Sequence, residues 1–170
     1  MYLPTSKQRV ICFGNRLHGD DAFGCHVYDR LCEVRLPEDT TLYDGGTAGL
    51  SALVLFEACV RVIVVDAMAA GAGVAPGRLR WVAVDEIVDD VAGLSTHTDG
   101  LAYLLRALRC TTAAKGIPEV SVLTVSVGAV AAFTEVLSVQ VEAAVPRAVS
   151  AVCAALERTH AGVDTGLRPY

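Results

Sequence analysis

Four side chains stand out by type and position: Asp20, Asp21, Asp66 and His97. The first two close the segment Gly14-Asn15-Arg16-Leu17-His18-Gly19-Asp20-Asp21, which follows the apolar run Val10-Ile11-Cys12-Phe13. Gly14 and Gly19 have the spacing of a phosphate-binding loop, whose amides cradle phosphate and whose next two residues are lysine and serine or threonine. Two carboxylates in those places repel a phosphate and attract a cation. The segment therefore predicts a hard-cation or transition-metal site and no nucleotide cofactor. Asp66 ends the run Val62-Ile63-Val64-Val65, and His97 lies in Ser95-Thr96-His97-Thr98-Asp99-Gly100. An imidazole with two carboxylates is a competent set for nickel, zinc or iron. Asp20 is open to two roles, a base or supporting partner behind the ligands, or an N-cap of the helix that follows. His18, His26 and His160 have weaker claims.

These residues need elements to bring them together, and the pattern supplies alternating strands and helices. Strands are expected over 9–13, 40–43, 61–66 and 119–127, with 78–84 as a further strand at an edge. Helices are expected over 21–33, with Phe23, Val27 and Leu31 on one face, and over 50–59, 101–109 and 138–158. Pro146 should kink the last helix or mark the first turn of its second half. The β-branched run before Asp66 suggests a strand buried on both faces. The alternation predicts a single three-layer αβα domain, residues 1–170, around a mostly parallel twisted sheet, with loose termini at 1–8 and 162–170. In such folds ligands bind outside the carboxyl ends of the strands. The segments 14–21 and 44–49, with Asp66, all follow strand ends, so topology gathers them on one rim.

Composition sets limits on function. Hydrophobic residues are 53% of the chain and charged residues 19%, which excludes disorder. The net charge is −5 with Lys7 and Lys115 the only lysines, which argues against a nucleic-acid partner. The apolar runs fall short of the about 20 residues a bilayer requires, so no membrane insertion is expected. With no signal-peptide core in the first seven residues, the expectation is a cytoplasmic protein. Six cysteines without a Cys-x-x-Cys pair read as buried free thiols in a reducing compartment. There is no Gly-x-Ser-x-Gly elbow, so a covalent protease is a poor match.

Four ordered motifs resemble the maturation endopeptidases of nickel–iron hydrogenases. They are Gly14-Asn15-x-Leu17-x-x-Asp20-Asp21, Asp44-Gly45-Gly46-Thr47-x-Gly49, Asp66-Ala67 with Pro76-Gly77 downstream, and Ser95-x-His97-x-x-Gly100-Leu101. The resemblance implies an enzyme that removes a C-terminal extension from the hydrogenase large-subunit precursor once nickel is in place. It implies that Asp21, Asp66 and His97 contact the metal and carry catalysis, and that the substrate delivers the nickel. Asp44, Gly45, Gly46, Thr47 and Gly49 would recognise the precursor, with Asp20 and Asn15 as supporting residues. The chain departs from the family at Cys12, where glycine is common, and over 127–133, which is more apolar than expected.

The implied reaction is metal-directed peptide hydrolysis with water as nucleophile. One rival is a phosphoacceptor domain, which also pairs acids after its first strand with an aspartate at the end of its third. It needs a lysine at a later strand end, and no lysine follows Val127. The other rival is a metallohydrolase acting on a small molecule or another peptide, and a stoichiometric, tightly held metal would mark it.

Overall fold

The computed structural model describes residues 7–89, 99–111, 118–128 and 133–161. Among them five strands form one sheet: β1 (Gln8–Phe13), β2 (Thr40–Gly46), β3 (Arg61–Ala69), β4 (Leu79–Val82) and β5 (Glu119–Val127). Their spatial order is β2-β1-β3-β5-β4, with all neighbours parallel except β4, which runs antiparallel to β5 at the edge. The helices are α1 (Phe23–Leu31), α2 (Val84–Asp89), α3 (Asp99–Thr111), α4 (Val139–Glu142) and α5 (Val145–Ala161).

Alternation along the central strands divides the core in two. Val10, Cys12, Ile63, Val65, Leu123 and Val125 pack with Phe23, Val27 and Leu31 of α1 and with the apolar stripe of α4 and α5. Ile11, Phe13, Val62, Val64 and Val122 face the other way, against Leu101, Leu104, Leu105 and Leu108 of α3. This is the expected three-layer α/β arrangement. The segment Val139–Arg158 is apolar enough by length and composition to cross a membrane. Its stripe Val141, Ala144, Ala148, Val152, Ala155 and Leu156 is nonetheless buried against the sheet, as in a core helix.

Several boundaries differ from expectation. Lys7 and Gln8 are tied in: Val60 and Arg61 donate to the Lys7 carbonyl, and Gln8 opens β1. The helix expected from Asp21 is a 3-10 turn over Gly19–Ala22 that then becomes α1. The helix expected over 50–59 is a 3-10 helix, Gly49–Phe56. Fully buried Arg9 takes the Leu55 carbonyl at 2.9 Å, and Glu57 is already extended, which ends the helix early. α2 occupies residues read as the end of a strand and the loop after it. Pro146 falls in the first turn of α5, where its missing N–H has no helical acceptor to lose.

β2 runs three residues past Tyr43, through a bulge. Cys12 pairs with Asp44 but Phe13 pairs with Gly46, which leaves Gly45 as the extra residue. A Cβ at Gly45 would lie 2.7 Å from the Phe13 ring, so the bulge needs a glycine there.

Candidate active site

The loop after β1, the end of β2, the middle of β3 and the start of α3 enclose a cavity of about 290 Å³. Asn15, His18 and Asp21 line it from the first, Gly46, Thr47 and Gly49 from the second, Asp66 from the third, and Gly100, Leu101 and Leu104 from the fourth.

Asp66 does not end its strand, because β3 continues to Ala69. What exposes it is the early end of β1. The last β1–β3 pair is Cys12 with Val65, so Asp66 is the first β3 residue without a β1 partner, though Thr124 still flanks it on β5. The side chain remains buried, and its Oδ1 accepts the Ala67 N–H at 2.8 Å. Burial pushes its carboxyl up to about 7, with the nearby Asp21 charge adding to the rise against that hydrogen bond. A buried carboxylate with a second acid in its field is a place that favours either a proton or a cation.

Asp21 is half-buried and held by its main chain. Its N–H donates to the His18 carbonyl at 3.1 Å, and its own carbonyl accepts the Asn15 N–H at 3.2 Å. Asp20, by contrast, is not on the cavity wall. Its two oxygens accept the N–H and Oγ–H of Ser138, at 2.6 and 2.8 Å, just before α4. It is not the N-cap of α1; it anchors the start of another helix. Asn15 closes a local turn, its Oδ1 accepting the Leu17 N–H at 3.1 Å while its amide nitrogen lies 2.7 Å from His18 Nδ1.

The glycine-rich segment divides between packing and cavity. Asp44 and Gly45 stand behind the wall, whereas Gly46, Thr47 and Gly49 are on it. Asp44 Oδ1 accepts the Gly46 N–H at 3.0 Å, and its Oδ2 accepts from Arg16 at 3.1 Å. Arg16 also grips Asp29 through two bonds of 2.7 and 2.9 Å, so it ties the first loop to β2 and α1. Gly46 has φ +46°, a conformation that a branched side chain resists.

His97 lies outside the described residues; Gly100 and Leu101 of the same motif are on the cavity wall. Among the described residues no three His, Cys, Asp or Glu side chains come together to hold a metal. Asp21 and Asp66 would thus supply two oxygen donors, with further ligands coming from His97 or from a bound substrate. Cys25 sits behind the first loop, its Sγ 3.4 Å from the Gly14 carbonyl, and burial pushes its thiol up to about 11. Such a thiol is protonated at neutral pH and is no nucleophile. All six cysteines are free, but Cys32 and Cys110 are exposed, so the expectation of burial fits Cys12 and Cys25 only. Sequence reasoning missed the weight of His18 and Arg16, whose partners inside and across the loop no spacing rule announces.

Over residues 25–155 the chain matches the family model described as hydrogenase maturation protease. The chain belongs to that family. The matched stretch contains Asp44–Gly49, Asp66 and His97, and Asp21 precedes it. Among individual family members, the hydrogenase expression/formation protein HupD of Bradyrhizobium diazoefficiens is 33% identical over 112 residues, 62% of this chain and 57% of that protein. The chain spans about half the length of the curated relatives it matches. Solved structures are covered more fully. The hydrogenase maturating endopeptidase HybD from E. coli superposes with a TM-score of 0.77 at 29% identity, over 90% of this chain and 93% of that one. A hydrogenase 2 maturation peptidase from a Thaumarchaeota archaeon gives a TM-score of 0.63 at 32% identity, over 89% of this chain and 98% of that one. The family's α/β fold is therefore the fold of this chain.

Proposed function

We propose that this chain is a single-domain cytoplasmic endopeptidase that removes the C-terminal extension of a nickel–iron hydrogenase large-subunit precursor after nickel insertion. The observation that carries the reading is the pairing of Asp66, buried and raised to about 7, with Asp21 on one cavity in a member of this protease family. Two acidic groups in a confined, partly apolar space favour a cation, and the cation here is the substrate's own nickel. In this reading Asp21, Asp66 and His97 contact that nickel and hold the scissile bond beside it in a fixed pose. The metal polarises the attacking water or the carbonyl, water adds to the carbonyl carbon, and the amine of the extension departs with a proton. Gly46, Thr47 and Gly49 border the peptide, while Asp44 and Gly45 hold that border in shape.

The direct test offers the purified protein two forms of the precursor, nickel-loaded and nickel-free, and follows loss of the extension by the precursor's mass. Cleavage confined to the loaded form is expected. Equal cleavage of both forms, or activity that tracks a tightly held metal of the enzyme itself, points to an ordinary metallohydrolase instead.

A further inference from the structure

Phe133 stands where a phenylalanine is ordinarily not found. Its backbone is left-handed, with φ +60°, and its side chain is 91% exposed. A bulky residue resists the first, and water disfavours the second. The chain beside it is firmly held. Thr134 forms a parallel bridge with His18: its N–H donates to the Leu17 carbonyl at 3.1 Å, and its carbonyl accepts the Gly19 N–H at 2.7 Å. Ser138 is fastened to Asp20, and Leu137 beside it is buried. Residues 134–138 are therefore pinned at both ends to the loop that carries Asp21, and Phe133 is displayed by that strap.

The bridge makes Leu17 the neighbour of Phe133, and Leu17 is exposed too. Exposed apolar side chains are ordinary when they occur singly. A neighbouring pair, one member in a costly backbone conformation, marks a contact surface. The pair adjoins the cavity. The rings of Phe133 and His18 meet edge-on with centroids 6.4 Å apart, and His18 shares the cavity wall with Asp21 and Asp66. Arg16, next to Leu17, is drawn away to Asp29 and Asp44, so its charge is already paired. Leu17 and Phe133 thus offer an apolar seat at the edge of the cavity.

In the peptidase reading the nickel draws the chain that carries it towards Asp21 and Asp66, so the extension is the part that leads out over the rim. An extended peptide advances about 3.3 Å per residue, and alternate residues share a face. The 6.4 Å from His18 to Phe133 is then a step of about two residues. We propose that Leu17 and Phe133 seat an apolar side chain among the first three residues of the extension, an inference that rests on the peptidase reading. The seat selects precursors by that side chain and sets the register of the peptide across the cavity. The strap holds the ring in place before the peptide arrives, so less ordering is required on binding.

The test is single-turnover cleavage of nickel-loaded large-subunit precursor, read as affinity and as rate at saturation, with a thermal melt for each protein. Phe133→Gly removes the ring and relieves the left-handed backbone, so it should melt no lower than wild type. Its affinity should fall by roughly tenfold while the rate at saturation changes by less than about threefold. Phe133→Leu, still apolar, should recover affinity to within about threefold of wild type. In the precursor, serine replaces each of the first three extension residues in turn. One of these changes should weaken binding to wild type by about tenfold but to Phe133→Gly by less than about twofold, since a shared contact is lost only once. Unchanged affinity in Phe133→Gly overturns the inference, as does a loss seen in rate alone. So does a serine scan in which no position weakens wild type more than Phe133→Gly. If Phe133→Gly melts early, Leu17→Ser takes its place under the same readings. A wild-type protein that leaves the loaded precursor intact instead defeats the peptidase reading itself.

Discussion

Asp66 is a carboxylate placed where its charged form is disfavoured, and the stability of the protein should register it. Its folded value of about 7 lies above the unfolded one, so the folded state binds more protons between those two values. Stability from this group is therefore greatest at low pH and falls as pH rises from about 4 to about 7. Asp66→Asn keeps an oxygen for the Ala67 N–H and removes the charge. It should be more stable than wild type at pH 8 by on the order of 2 kcal/mol, with the difference closing towards pH 4. Urea titrations at pH 4, 6 and 8 measure this directly, and a variant less stable than wild type at pH 8 contradicts the sign. The same substitution should abolish processing. A residue that lowers stability while it enables activity is the expected mark of a functional acid in a buried place.

At the scale of elements, Asp20 and Asp21 show how neighbouring residues can serve different parts of the fold. Asp21 faces the cavity, while Asp20 holds the N-terminal end of α4 through Ser138. Asp20→Ala leaves two partly buried donors unpaired and should destabilise by about 1–3 kcal/mol. Amides at the start of α4 should then exchange faster, with processing reduced far less than in Asp21→Asn. Loss of processing at an unchanged melt would return Asp20 to the chemistry. That contact spans 118 residues, which is why no local pattern revealed it. The strands were legible because β-branched runs and alternation are local signals: β1 and β5 lie where the pattern puts them, to within a residue, and β3 starts at Arg61 as expected but runs on to Ala69. The bulge at Gly45 was not, because it depends on where the Phe13 ring lands. The 3-10 helix over Gly49–Phe56 escaped for a similar reason, since a buried arginine from β1 takes one of its carbonyls.

For the whole molecule, the sheet order places β1 between β2 and β3, so the loops and strand ends from all three strands open onto one cavity. The rim was legible in the sequence because parallel strands carry their ligands at their carboxyl ends. The reason Asp66 opens onto it was not, since it lies in the unequal lengths of β1 and β3. The proposed chemistry requires Asp21 and Asp66 to form one unit for the substrate's cation. A double-mutant cycle on single-turnover cleavage of nickel-loaded precursor tests it, with Asp21→Asn, Asp66→Asn and the pair together. Residues that act as a unit are non-additive, so each single change should cost at least about a hundredfold and the double change little more than the worse single one. Rates that fall multiplicatively in the double variant, or a near-wild-type rate in either single one, would contradict it.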